Sequence, residues 1–114
     1  MADNRPVYLR LRDLIAAAII EGRYAEGDML PSVRAFAAEQ GANPLTVAKA
    51  YQTFQDEGLI VVKRGVGMFV APGASEKLRD AERKQFLEQR WPGIAAQIRR
   101  LGLDVGDLVE RATA

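Results

Sequence analysis

The short segment "QGANPL", residues 40 to 45, constrains the fold of this chain more than any other. Glycine is favoured just after the last turn of a helix, where the backbone becomes left-handed. Asparagine is a strong N-cap, and proline is favoured at the first helical position because its missing amide hydrogen costs nothing there. Gly41, Asn43 and Pro44 therefore predict that one helix ends and another begins across a tight turn, as in a helix-turn-helix pair.

The helix predicted from Pro44 has two different faces. Its apolar side chains recur at helical spacing as far as Gly58, and they form a stripe that we expect to face the core: Val47, Ala50, Tyr51 and Phe54. The opposite face is mixed and mostly uncharged, and it carries Leu45, Thr46, Lys49, Gln52 and Asp56. Packing alone does not require such an outer face, so its role has to be explained by what it contacts.

A leading helix and a hairpin flank this helix pair. Residues 6–24 have amphipathic helical spacing, and Gly22 is expected to end that helix. Ser32 is expected to cap the short helix "VRAFAAEQ". The segments "IVVK" and "MFV" have the character of strands around the turn "RGVG". A β-hairpin directly after the second helix of such a pair is a wing.

The last part of the chain, residues 75–114, is predicted to be helical. Ser75 is a candidate cap for its first helix, Pro92 is expected to kink this helix or divide it into two, and Asp104 is expected to cap a last short helix. An apolar series keeps helical spacing across Pro92: Phe86, Leu87, Trp91, Ile94, Ile98 and Leu101. These side chains could fold back as core, but about forty residues cannot close a separate core alone. We therefore expect them to form a dimer.

The predicted fold class is mainly α with a small β-hairpin. It consists of a winged helix-turn-helix, residues 6–71, followed by a short C-terminal helical dimerisation element, residues 75–114. The chain has no cysteine and no histidine, which removes disulfides, thiol nucleophiles, the usual zinc sites and imidazole as a general base. We expect no catalysis, no metal and no cofactor. No membrane span or signal peptide is evident, so we expect a cytoplasmic protein.

Residues 30–70, "LPSVRAFAAEQGANPLTVAKAYQTFQDEGLIVVKRGVGMFV", carry a resemblance to a known family. The order and spacing of "LPS", "TVAKAY", "EGLI" and "GMFV" resemble the winged helix-turn-helix of GntR-family bacterial transcription regulators. With the leading helix, the resemblance covers residues 6–71. The phrase "NPLTVAKAY" and the short tail look most like the YtrA subfamily, in which the appended part is a pair of dimerising helices.

The resemblance implies DNA contacts at some positions and not at others. Arg34 matches an arginine of the family near the start of the second helix, and Thr46 matches a threonine in the first turn of its recognition helix. Arg64 and Gly65 match the wing tip, which reaches the minor groove in relatives. Pro44 and Ala48 stand where many members have DNA-contacting arginines, so the base readout of those arginines does not transfer here.

The residue chemistry of the predicted recognition helix suits a major groove. Asn43 and Thr46 can donate hydrogen bonds, Leu45 can contact a thymine methyl group, and Lys49 can reach phosphate or guanine. The amides near Pro44 and Leu45 present the positive end of the helix dipole. The alternative is an ordinary solvated helix face.

Two further basic positions have open alternatives. Lys63 and Arg64 beside Gly65 can enter a minor groove, or they can form a basic turn that protects a sheet edge. Arg34 can hold a backbone phosphate, or it can pair with Glu39 or Asp28 on the surface.

The expected function is a sequence-specific DNA-binding transcription regulator, a repressor that binds a palindromic site on double-stranded DNA as a homodimer. The formal net charge is only +1, so this expectation depends on where the charges lie and not on their number. An effector, if there is one, could bind between subunits around Trp91 and Arg99. The alternatives are a winged-helix module that binds protein and a non-specific architectural DNA binder.

Overall fold

The computed structural model describes residues 5–113, which form six α-helices, a π-helical segment and one two-stranded hairpin. The elements in chain order are α1 (Val7–Ile20), α2 (Val33–Gln40), α3 (Pro44–Asp56), β1 (Ile60–Lys63), β2 (Gly67–Val70), α4 (Ala74–Gln85), the π-helical segment (Phe86–Arg90), α5 (Trp91–Leu101) and α6 (Val105–Thr113). The predicted fold class, mainly helical with a small β-hairpin, is confirmed. Within the described residues the chain divides into two compact units, between Arg79 and Asp80.

The core of the first unit is built from the stripes that the spacing predicted. All four stripe residues of α3 are buried, and Val47 and Phe54 have no exposed surface. From α1 the core receives Leu11, Ile15 and Ile19, and from α2 it receives Phe36 and Ala37. The helices pack through these faces because each one has only a single apolar stripe to bury.

The ends of α2 follow the predicted capping pattern. The hydroxyl of Ser32 accepts a hydrogen bond from the Ala35 amide at 3.1 Å, which satisfies one of the free donors at the start of the helix. Gly41 follows the helix with φ +63°, a left-handed conformation that strains residues with a side chain. The turn into α3 is therefore fixed by local chemistry as well as by packing.

The hairpin pairs β1 and β2 antiparallel, with Ile60 opposite Val70 and Lys63 opposite Gly67. The extended piece after α1 covers the other edge of β2, since Met29 forms a bridge with Phe69 and the Leu30 amide donates to the Met68 carbonyl at 2.8 Å. Strand β2 thus lies between β1 and the segment that leads into α2.

The start of α4 belongs to the first unit. Ala74 and Leu78 are buried in its core. The Glu26 carboxylate accepts a hydrogen bond from the Gly73 amide at 2.6 Å, and Lys77 donates to the Glu57 carbonyl at 2.8 Å. The domain division at residues 71 and 75, taken from the sequence, remains a prediction.

The prediction that Ser75 caps this helix is wrong. The helix begins one residue earlier, at Ala74, so Ser75 lies inside its first turn. The Ala74 amide already donates to the Ala71 carbonyl, and Glu26 holds the turn before it at the Gly73 amide. The chain therefore enters the helix without a serine cap.

Pro92 neither ends the helical conformation nor leaves it regular. The residues from Ala74 to Leu101 are all helical, but the five from Phe86 to Arg90 form a wider π-helical turn just before the proline. A proline inside an α-helix removes one hydrogen bond, and its ring clashes with the carbonyl four residues earlier. A wider turn is one way to relieve that clash. Gly102 then ends α5 with φ +65°.

We expect Tyr51 to make the stability of the first unit depend on alkaline pH. Its hydroxyl donates to the Pro31 carbonyl at 2.7 Å. Burial raises the pKa of Tyr51 well above its ordinary value of 10.0, and the nearby Tyr24 and Glu39 charges add to the shift. Above about pH 10 the unfolded chain loses this proton while the folded chain keeps it, so stability falls as pH rises.

The variant Tyr51→Phe tests this. It should lose about 0.5–1.5 kcal/mol of stability near pH 7, because the Pro31 carbonyl loses its donor, yet show a shallower decline above pH 10. Urea unfolding followed by circular dichroism from pH 7 to 11 measures both effects. Equal alkaline slopes in the two proteins would contradict the expectation.

Candidate nucleic-acid interface

The start of α3 presents a large apolar side chain to solvent. The Asn43 side-chain oxygen accepts a hydrogen bond from the Leu45 amide at 2.8 Å, and Pro44 occupies the first turn. Leu45 itself is 80% exposed. Because the Asn43 oxygen is used by the cap, its amide nitrogen is the group left to donate outward.

The predicted α3 residues lie together on the face opposite the buried stripe. Asn43, Pro44, Leu45 and Lys49 are exposed, and Thr46 is half-buried. Asn43 and Thr46 also line an open depression of about 460 Å³ between α1 and the turn before α3. Its remaining lining is Val7, Arg10, Leu11, Leu14, Gln40, Gly41 and Ala42.

Arg10 is a basic residue at this depression that the sequence analysis did not identify. Arg10 and Arg12 lie on either side of Leu11, a core residue of α1, so the sequence alone does not show which of them faces α3. The structure separates them. Arg10 lines the depression beside Asn43 and Thr46, whereas Arg12 forms a salt bridge to Glu57 at 2.6 Å and lies over the Phe54 ring. Only the position of α3 distinguishes the two arginines.

The two predicted lysines each lie over an aromatic ring. The Lys49 ammonium is 4.2 Å from the centroid of the Tyr8 ring, and the Lys63 ammonium is 4.6 Å from the centroid of the Phe69 ring. At exposed sites such cation–π contacts contribute about 0.5–1 kcal/mol. They limit the freedom of two flexible side chains without neutralising their charge.

The wing tip is a tight turn of exposed residues, Arg64, Gly65 and Val66. Gly65 has φ +78°, and the Val66 amide donates to the Lys63 carbonyl at 2.9 Å. At Gly67 an added Cβ would lie 2.8 Å from the Met29 sulfur, so a side chain there would displace Met29. The turn chemistry predicted from the glycines is present, and it leaves the Arg64 side chain at the surface.

The predicted cationic residues of the interface differ from several arginines of the first unit in that they form no salt bridge. In residues 5–113, salt bridges join Arg5 to Asp13, Arg12 to Glu57, Arg23 to Glu21, Arg79 to Glu76 and Arg83 to Asp80. No salt bridge within that range includes the four predicted cationic residues, which are Arg34, Lys49, Lys63 and Arg64.

The surface pairing considered for Arg34 is not observed. Arg34 is exposed in the first turn of α2, and neither Glu39 nor Asp28 forms a salt bridge with it among the described residues. The Asp28 carboxylate accepts a hydrogen bond from the Ala25 amide at 2.8 Å.

The residues predicted for dimerisation belong to the second unit, and none of them is buried. Phe86, Leu87, Trp91, Ile94 and Leu101 are exposed, and Ile98 is half-buried. The Phe86 and Trp91 rings are 6.4 Å apart. The last helix has a further apolar series at spacings of three and four, Val105, Leu108 and Val109, and none of these residues is buried.

The described part of the chain has neither a metal site nor a membrane-spanning helix. No group of acidic, histidine or cysteine side chains there could hold a metal ion. None of its helices is both long enough and apolar enough to cross a membrane.

Comparison with known proteins identifies the family. The family model "Bacterial regulatory proteins, gntR family" matches residues 7–70. The chain is 31% identical over 109 residues to the uncharacterized HTH-type transcriptional regulator YhcF of Bacillus subtilis, covering 94% of this chain and 87% of YhcF. It is 34% identical over 86 residues to the HTH-type transcriptional repressor YtrA of the same organism, covering 75% of this chain and 66% of YtrA.

A solved structure extends the similarity to nearly the whole chain. A GntR family transcriptional regulator from Listeria monocytogenes superposes with a TM-score of 0.75 and 26% identity, covering 99% of this chain and 97% of that one. The similarity of fold therefore extends beyond the region that the family model matches. The exposed face of α3 and the wing lie within the region that the family model matches. The chain belongs to the GntR family of DNA-binding transcription regulators and is not an enzyme.

Proposed function

We propose that this regulator is a cytoplasmic repressor that binds a palindromic operator as a homodimer, with residues 43–52 in the major groove and residues 63–65 along the minor groove. The observation that carries the proposal is the placement of charge. None of the four predicted cations has a salt bridge within residues 5–113, whereas Arg5, Arg12, Arg23 and Arg79 of the first unit are each paired with an acidic side chain. Unpaired cations are free to replace the counterions of DNA phosphates.

The first turn of α3 is suited to reading base edges. The free amide nitrogen of Asn43 and the hydroxyl of Thr46 are hydrogen-bond donors, and the major groove presents acceptors on purines and on thymine. Leu45, which no neighbour covers, matches the methyl group of thymine. Pro44 has no amide hydrogen to donate to DNA. We expect it to contribute by starting α3 at the point where the helix meets the DNA.

The wing and α2 supply contacts outside the major groove. Arg64 extends from a turn that Gly65 makes tight, and an arginine on such a tip can enter a narrow minor groove. Arg34, exposed and without a salt bridge in residues 5–113, fits a phosphate contact that positions the protein without reading sequence.

Dimerisation through the second unit is supported by its uncovered apolar side chains. None of its described residues is buried, although Phe86, Trp91 and Ile94 are large and apolar. A second copy would cover them through a two-fold interface, and a two-fold protein matches a palindromic site with half-sites about 34–36 Å apart. Two linked DNA-binding units also compensate for the few phosphate contacts that a near-neutral chain can make.

Repression is the output that this arrangement supports best, since a compact dimer bound over a promoter blocks transcription by occupying it. One of the relatives described above, YtrA of Bacillus subtilis, is itself a repressor by name.

The operator can be found by repeated selection of random or genomic DNA fragments with the purified protein near physiological salt. We expect an inverted repeat with fixed half-site spacing, because two copies of α3 read two equivalent half-sites. A folded protein that enriches no sequence would contradict sequence-specific binding. Enrichment of single, unpaired half-sites would contradict the dimer.

Variants of the unpaired cations test the placement of charge. Arg64→Ala and Arg34→Ala should each weaken operator binding and reduce the slope of log affinity against log salt by about one per lost phosphate contact. The matched control is Arg23→Ala, which removes an exposed arginine that is paired with Glu21. Fluorescence anisotropy from about 50 to 200 mM salt measures the slopes. Equal effects of all three substitutions would show that charge placement does not matter.

Dimerisation can be tested on α5. Ile94→Asp introduces a charge into the proposed interface and should shift the protein from dimer to monomer, because a buried unpaired charge is costly. Ala96→Asp, at an exposed position on the opposite side of the same helix, is the control. Sedimentation velocity reports the oligomeric state of each. A monomeric wild-type protein, or an Ile94→Asp dimer as stable as the wild type, would refute the proposed interface.

A further inference from the structure

The contact between Tyr8 and Lys49 joins two helices at the predicted interface. Tyr8 lies in the first turn of α1, half-buried and packed against the core cluster, so its ring is held in place. Lys49 lies on the exposed face of α3, and its ammonium is 4.2 Å from the centroid of that ring. The ring is the fixed partner of the two, and a lysine side chain has a flexible four-carbon stem.

Within the described part of the chain, no acidic side chain competes with Tyr8 for the Lys49 ammonium. No salt bridge to Lys49 occurs in residues 5–113. The Asp56 carboxylate, on the same outer face, accepts a hydrogen bond from the Gln52 side chain at 2.9 Å. The Tyr8 ring of α1 is therefore the group that fixes the position of the ammonium.

We propose that Tyr8 is a positioning residue that holds Lys49 in place for contact with a DNA phosphate. Lys49 then anchors α3 to the DNA backbone and does not read a base. This inference rests on the proposed function and assigns one contact within it. An ammonium is a compact point charge without the planar fork that reads guanine bidentately. With one side against the ring, its remaining hydrogens can still donate to phosphate oxygens.

The strength of the cation–π contact between Tyr8 and Lys49 sets the size of the expected effect on DNA affinity. Loss of the ring should weaken binding by up to about fivefold for each half-site, because an exposed cation–π pair of about 0.5–1 kcal/mol no longer orders the ammonium before DNA binds. The loss should depend on the lysine charge, because without the ammonium the ring has nothing to position. Tyr8 thereby differs from a residue that only supports the fold.

A double-mutant cycle tests the coupling. Tyr8→Leu, Lys49→Met and the double variant are titrated by fluorescence anisotropy against the operator obtained from selection. We expect Tyr8→Leu to weaken binding in the presence of Lys49 and to have no further effect in Lys49→Met. Tyr8→Phe, which keeps the ring, should bind as the wild type does. Additive effects of the two single substitutions would overturn the proposal.

A second measurement separates anchoring from base reading. Lys49→Met should lower the salt slope by about one per subunit and weaken binding equally on operators altered at each base pair in turn. A changed preference at one base pair would show that Lys49 reads sequence, which overturns the proposal. Thermal unfolding of each variant identifies a loss due to misfolding, and the measurements on Lys49→Met test the phosphate contact without changing Tyr8.

The proposed function and the Tyr8–Lys49 coupling can be refuted by different results. If the wild-type protein binds its operator while the cycle is additive, only the Tyr8–Lys49 coupling is refuted. If the folded wild-type protein binds no DNA, the proposed function fails and this inference fails with it.

Discussion

The packing of α3 against α1 is the interaction on which the rest of this structure depends. Val47 and Phe54 are completely enclosed, and Ile15 and Ile19 of α1 belong to the same cluster. Removing one aromatic side chain from such a core costs about 3–5 kcal/mol, a large part of the 5–15 kcal/mol that stabilises a typical domain. Because a helix has one apolar stripe, burying it fixes the outward direction of Leu45 and Lys49.

Much of this arrangement could be predicted from the sequence, because it follows from short-range rules. Gly41, Asn43 and Pro44 determine the turn into α3 through capping and backbone conformation, and helical spacing identifies the buried stripe. The hairpin follows from strand-forming residues on either side of the turn around Gly65. In each case the deciding partner lies within a few residues along the chain.

The features that could not be predicted depend on partners distant in sequence. Tyr8 meets Lys49 only because α1 packs on α3, and the same packing places Arg10 at the depression. The start of α4 at Ala74 depends on Glu26, far upstream, whose carboxylate accepts a hydrogen bond from the Gly73 amide. The sequence signalled a disturbance at Pro92, but how the wider turn absorbs it depends on backbone geometry that composition does not encode.

The first turns of α4 have a consequence for how this protein can change its C-terminal part in evolution. Ala74 and Leu78 complete the core of the first unit, and Lys77 binds the carbonyl at the end of α3. A recombination point at Ala71, just after the hairpin, would therefore leave a hole in that core and remove the hydrogen bond from Lys77 to the end of α3. A point after Arg79 would preserve both. The smallest segment that can be inherited as a working module thus includes the beginning of a helix whose remainder is free to be replaced.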